Sequence, residues 1–286
     1  MATREVFPLV RRLVVGLGNP GDKFHNTRHN IGKMALQHFL QSPTWTDVKA
    51  VHGESMVRQL SFEATQKQLG NDLIDRMSER RKARTVEEGV PYPLVDVHGL
   101  LPSTYMNRSG MSVKSYLNAH SFRLKNNALV LNKHDELLVL TDDITLPFGT
   151  CRFKPKGGHG GQNGVRDIIK CIASEKFARL KIGIGCPSWF VDAANKGNPP
   201  PGLQLDKYVL GKFQPHEQDD MRALLEYTSA LLRVYLHRGL NEATALANST
   251  NMKAYKLPPK KKKGPPPHLQ RLPAKKARME QETNDS

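Results

Sequence analysis

Four clusters in this chain combine residue types and spacings that can do chemistry. The first is Gly16-Leu17-Gly18-Asn19-Pro20-Gly21, followed closely by Thr27-Arg28-His29-Asn30. It sets an imidazole flanked by amides beyond a tight glycine turn, and a histidine so placed can act as a base near neutral pH. The second is Asp142-Asp143, at the end of the apolar run Leu137 to Leu140. A carboxylate there can fix a histidine's tautomer and stabilise its imidazolium, but aspartate is equally suited to turn hydrogen bonds at a strand end. The third runs from Lys154 to Gly164, with five glycines among its last eight residues. Its backbone N–H groups and two lysines suit a phosphate-bearing partner, and Gln162 and Asn163 carry amides that can donate to a carbonyl or oxyanion. A flexible structural loop is the plainer reading. The fourth is Ser103-Thr104-Tyr105-Met106-Asn107-Arg108-Ser109-Gly110, in which Asn107 precedes a helical pattern and suits an N-cap as well as a ligand.

Other chemistries fit less well. Gly16-x-Gly18-x-x-Gly21 follows a strand, as a dinucleotide fingerprint would. No Asp or Glu falls between Lys23 and Thr46 to hold a ribose, and Pro20 removes an amide that pyrophosphate would use. His25 and His29 have the helical i, i+4 spacing of a metal pair, but no third ligand lies nearby and no metal is expected. There is no G-x-S-x-G elbow and no cysteine with a nucleophile's signature. An enzyme built from these residues would attack with a water activated by His29.

The elements that must position these clusters follow from apolar periodicity. Strands are expected at 11–17, 50–60, 93–98, 136–141, 150–155 and 178–185, and helices at 30–41, 109–119, 162–173, 216–237 and 240–247. In the fourth helix Met221, Leu224, Leu225, Leu231, Leu232 and Leu236 fall on one face. Alternating strands and helices predict one α/β domain, a three-layer sandwich over residues 1–256. Residues 62–91 are polar and charged and read as an insertion. Residues 257–286 are rich in Pro and Lys, cannot bury a core, and read as a disordered tail.

The net charge is +16. Beyond residue 252, ten Lys and Arg face three acids; the other 33 basic residues face 24 acids. The body is therefore basic apart from its tail, which points to an anionic partner such as nucleic acid. Three cysteines without paired spacing suit free thiols in a reducing compartment. No apolar run spans a membrane, and no secretory signal is visible.

Taken together in order, the motifs resemble the bacterial-type peptidyl-tRNA hydrolase family. These are Gly-Leu-Gly-Asn-Pro-Gly with Thr-Arg-His-Asn, Thr-Tyr-Met-Asn-Arg-Ser-Gly, Asp142 with Leu146-Pro147-x-Gly149, the glycine loop, Arg179 to Gly185, and Tyr208-Val-Leu-Gly-Lys-Phe213. The resemblance covers roughly residues 12–247. It implies a mixed twisted sheet flanked by helices, a monomer, no cofactor, and hydrolysis of the ester joining a peptide to tRNA. It implies that His29 is the base and Asp142 its partner. Asn19, Phe24, Met106, Asn107 and Asn163 would line the substrate site, and Arg152, Lys154 and Lys181 would contact tRNA phosphates. Phe24 stands where the family usually has tyrosine, and Gln162 replaces a frequent histidine; activity is expected to survive both. Two alternatives compete: a catalytically silent RNA-binding or splicing-partner relative of the same fold, and a nucleotide-dependent oxidoreductase. The expected place of action is the cytoplasm or mitochondrion. The tail suits the ribosome as a second anionic partner, and Lys260 to Lys263 would suit a nuclear address.

Overall fold

The computed structural model describes residues 10–41, 46–48, 53–60, 95–120, 124–125, 128–129, 136–186 and 205–255. The expected insertion at 62–91 and the tail from 257 lie outside the described residues. The strands are β1 (Val10–Gly16), β2 (Thr46–Val48), β3 (Gly53–Leu60), β4 (Val95–Pro102), β5 (Leu124–Lys125), β6 (Ala128–Leu129), β7 (Leu137–Asp143), β8 (Cys151–Lys154) and β9 (Ala178–Gly183). The helices are α1 (Ile31–Leu40), α2 (Ser109–Ala119), α3 (Asn163–Ile172), α4 (Leu205–Val209), α5 (Pro215–Arg238) and α6 (Leu240–Ser249).

Seven strands form one sheet in the order β2-β3-β4-β1-β7-β9-β8, and β5 and β6 make a separate small hairpin. The four central strands β4, β1, β7 and β9 run parallel. β3 and β8 pair antiparallel to their neighbours β4 and β9. The sheet is thus mixed, with helices on both faces, as the alternation of elements predicts. On one face α1, α5 and α6 pack on Val14, Val97, Leu101, Leu138, Leu140 and Leu180. On the other, α2 and α3 pack on Leu13, Val15, Leu100 and Val139. β7 is buried at every position, which explains why it reads as a continuous apolar run and not as an alternating one.

This topology decides where a site can form. The chain leaves β1 into α1 on one face and leaves β4 into α2 on the other. The connections diverge, and a crevice opens beyond the C-terminal ends of β1 and β4. Asn19, Met106 and Asn107 all follow those ends, and Asp142 sits at the end of β7 beside them.

The approach of α1 to the sheet is unusually close. A Cβ at Gly32 would lie 2.3 Å from the carbonyl oxygen of Leu140. The Leu17 N–H donates to that same carbonyl at 3.1 Å, and the Lys33 N–H donates to the Leu17 carbonyl at 2.8 Å. Only glycine lets the helix start pack directly on the backbone of β7. Gly32→Ala must push α1 off the strand. It should lower stability by about 1–3 kcal/mol, seen as a fall of several degrees in the thermal midpoint, and should lower activity more than any residual unfolding explains. An unchanged midpoint would show that the helix relaxes freely.

Candidate active site

A short 3₁₀ turn over Arg28–Asn30 leads directly into α1 and places His29 at the rim of the crevice. Its Nδ1 lies 2.9 Å from Oδ2 of Asp142. A carboxylate only accepts, so Nδ1–H donates and Nε2 is left with its lone pair facing away from the aspartate. The Asp142 side chain is 6% exposed and that of His29 12%. The carboxylate is therefore sealed while the ring keeps an open edge. Burial acts on the His29 pKa most strongly and lowers it, but the charge and hydrogen bond of Asp142, helped by the more distant charge of Asp206, outweigh burial and raise it above the ordinary 6.5.

The paired aspartates divide their work. Asp142 faces the histidine. Oδ1 of Asp143 accepts from the Thr145 N–H at 2.8 Å and from its hydroxyl at 2.6 Å, a turn closure. Oδ2 of Asp143 pairs with the Lys181 ammonium. Burial alone would raise the Asp143 pKa, yet the bonds to Lys181 and Thr145 hold it below the usual carboxylate value. Lys181 is thus already engaged with a carboxylate. Its cross-strand neighbour Arg152, and Lys154, are exposed on the edge strand β8.

Asn19 is held from three directions. Its N–H donates to Oδ1 of Asn30 at 2.8 Å, and its carbonyl accepts from Asn30 Nδ2 at 3.0 Å. Its side-chain Oδ1 accepts the Met106 N–H at 2.8 Å. That last bond settles the orientation of the amide, because a backbone N–H needs an oxygen. The Nδ2 donors of Asn19 have no partner among the described residues. Asn163, the first residue of α3, shows a looser version: its Oδ1 accepts from Arg166 Nη1 at 3.0 Å, turning Nδ2 outward. Asn107 is exposed within the turn Met106–Arg108, and its amide makes no hydrogen bond among the described residues. It does not cap α2; Arg108 occupies that position without a side-chain bond.

Met106 is buried and links the two sides of the crevice. Its N–H holds Asn19, and its Sδ lies 3.3 Å from Gln162 Nε2. The Gln162 oxygen accepts the Val165 N–H at 2.7 Å and caps α3, while Nε2 also donates to Asp142 Oδ1 at 3.2 Å. The amide of Gln162, read from sequence as a donor to a ligand, is therefore spent inside the protein. Phe24 stands at the rim, edge-to-face with the half-exposed Tyr105 at 6.2 Å between centroids. His25 is exposed in the turn before Thr27, not on a helix with His29. The three cysteines are unpaired, and burial pushes each thiol pKa up, so none is set as a nucleophile.

Residues 13–255 match the family described as Peptidyl-tRNA hydrolase. The peptidyl-tRNA hydrolase of Syntrophotalea carbinolica is 34% identical over 232 residues, covering 81% of this chain and 94% of that protein. A chloroplastic peptidyl-tRNA hydrolase of Arabidopsis thaliana is 32% identical over 238 residues, 83% of this chain and 64% of that one. Among solved structures, the Acinetobacter baumannii peptidyl-tRNA hydrolase matches with a TM-score of 0.59 at 26% identity, over 86% of this chain and 98% of that chain. This chain belongs to the peptidyl-tRNA hydrolase family. Among the described residues no helix is long and apolar enough to cross a membrane.

Sequence reading of this family member missed one anchor of the site, Arg28. Its Nη2 pairs with Glu217 Oε2 at 2.8 Å, and Nη1 donates to the Lys212 carbonyl at 2.7 Å. Its guanidinium lies 4.4 Å from the Tyr208 ring centroid and 5.4 Å from that of Phe213. The Arg28 N–H donates to the Gly211 carbonyl at 3.0 Å, and Thr27 bridges to Lys212. Glu217 also accepts the Gln214 N–H at the start of α5. The segment carrying Asp206 is thereby strapped to the residue beside His29. The signal lay in the aromatic pair Tyr208 and Phe213, which reads as core until the arginine is found between them. Removing one partner of a buried pair strands the other charge, so Glu217→Ala should lower the free energy of unfolding by about 3–5 kcal/mol, measured by urea titration. A loss under about 1 kcal/mol would place the pair with ordinary surface ion pairs.

Proposed function

We propose that this chain hydrolyses the ester between peptide and tRNA in prematurely released peptidyl-tRNA, recycling the tRNA, with His29 as general base and Asp142 as its partner. The observation that carries this reading is the 2.9 Å contact between His29 Nδ1 and Asp142, together with an Asn19 amide whose oxygen is pinned and whose N–H groups have no partner among the described residues. A water at His29 Nε2 gives its proton to the ring as its oxygen attacks the ester carbonyl. The carbonyl oxygen gains charge and is met by amide donors, Asn19 first. The tetrahedral intermediate then collapses, the ribose oxygen leaves, and the imidazolium returns the proton to it. Asn107 and Asn163 bind the peptide main chain, which lets the site accept any peptide, and Phe24 and Met106 supply the apolar wall. Arg152 and Lys154 contact tRNA phosphates, with Lys181 joining them from its bond to Asp143.

General-base help is worth roughly 10²–10⁴ in rate. Purified protein should release peptide from N-blocked aminoacyl-tRNA in the presence of EDTA, and His29→Ala should lose that factor. Full turnover by the variant sinks the base assignment; RNA binding without turnover by the parent protein favours a binding module instead. A general base works only when neutral, so kcat/KM should fall as pH drops through a His29 pKa lying above 6.5. Asp142→Asn removes the charge that raises this pKa and leaves burial to lower it, so the acid limb should move to lower pH while kcat falls. The same raised pKa gives a stability contribution present below pH 6.5 and lost as pH rises through the raised value.

The domain of residues 1–256 acts as a monomer, in the cytoplasm or the mitochondrion, where peptidyl-tRNA arises. The tail from 257 adds affinity for tRNA or ribosome through its lysines. Truncation after residue 256 should flatten the salt dependence of binding and leave kcat nearly unchanged; a large loss of kcat would instead make the tail part of the site.

A further inference from the structure

Asp142 is a nearly sealed carboxylate with two oxygens to satisfy. Oδ2 takes the His29 bond. Oδ1 takes Gln162 Nε2 at 3.2 Å, with the Thr141 hydroxyl at a longer 3.4 Å. The Gln162 amide cannot turn round, because its oxygen accepts the Val165 N–H and a nitrogen there would meet donor with donor. Its two N–H groups point to Asp142 Oδ1 and to the Met106 sulfur, whose own N–H holds Asn19. One amide therefore joins the start of α3, the partner of the histidine and Met106, the residue beyond β4 whose N–H holds Asn19.

We infer that Gln162 is a positioning residue for the reaction: its amide, fixed by the cap of α3, locks the rotation of Asp142 and with it the bond that Asp142 makes to His29. This rests on the reading of His29 and Asp142 as base and partner. The groups facing His29 are Asp142 on β7, Asp206 on α4 and the adjoining Arg28, already paired with Glu217. On the Gln162 side the nearby ionisable residue is His159, whose carbonyl accepts the Gln162 N–H. Gln162 adds a dipole to this set without adding a charge that varies with pH.

The test separates capping from positioning. Serine is a favoured N-cap but is too short to reach Asp142, so Gln162→Ser keeps the helix start and loses the donor. Gln162→Glu keeps the oxygen for Val165 and sets a second carboxyl against Asp142. Both variants should hold the thermal midpoint within a few degrees. Both should lose kcat by on the order of tenfold or more, the worth of a hydrogen bond to a charged group, with KM nearly unchanged. In Gln162→Glu the added negative charge should also move the acid limb of kcat/KM to higher pH. Parent-like kcat and pH profile in both variants would overturn the inference. If His29→Ala is inactive while Gln162→Ser behaves as the parent, only the role of Gln162 falls. If His29→Ala remains active, the reading beneath it falls first.

Discussion

The site depends on how closely the start of α1 lies on the end of β7. The Leu140 carbonyl receives the Leu17 N–H, and Gly32 rests against it with no room for a side chain. β1, the turn after it, and α1 are therefore referenced to one point on β7. Asp142 is two residues beyond that point and His29 three residues before Gly32. Their 2.9 Å contact follows from backbone packing rather than from long flexible side chains. A site built this way needs little reordering when substrate arrives, the condition under which positioned groups contribute most.

Two of the amides near the pair have the oxygen held by a donor and an NH₂ without a partner among the described residues. Asn19 gives its oxygen to Met106 and Asn163 gives its oxygen to Arg166, so each presents only donors outward. Gln162 gives its oxygen to Val165 but turns its donors inward to Asp142 and Met106. The outward amides thus offer donors, and the Asp142 carboxylate is met by a donor that brings no charge of its own. The cations follow a similar partition. Arg152 and Lys154 lie exposed on the edge strand, while Lys181 neutralises Asp143, so the second aspartate adds no bare negative charge to the crevice.

Most of the architecture was legible because apolar runs map onto it directly. β7 and β9 are covered on both faces and α3 and α5 on one, and each observed boundary lies within two residues of the expected one. β4 begins two residues later and ends four residues later than expected; His98 and Gly99 break its apolar run yet stay paired with β1 and β3. β2, the β5–β6 hairpin and α4 were missed: they are two to five residues long, and windows that detect periodicity do not see such pieces. At the site, His29, Asp142 and Asn19 stood out through their neighbours in sequence. Arg28 carried no role of its own and Gln162 read as a donor to a ligand, because their partners lie 189 and 20 residues away. Local pattern did not choose between the two aspartates; the family resemblance named Asp142, and in the structure Asp142 bonds His29 while Asp143 pairs with Thr145 and Lys181.

The electrostatics of His29 explain why so many side chains converge on Asp142. Burial is the largest single influence on the imidazole and favours its neutral form, whereas the charge of Asp142 favours the protonated one. A base pushed too far down by burial would bind the proton of water weakly, and one pushed too far up would already be protonated at working pH. Asp142 holds this balance against the imidazole while only 8% exposed, and polar atoms so buried need hydrogen-bond partners. His29 satisfies one oxygen and Gln162, with Thr141, the other. The cap of α3 and the buried methionine therefore meet the partner of the histidine through one amide, although neither of them touches the imidazole.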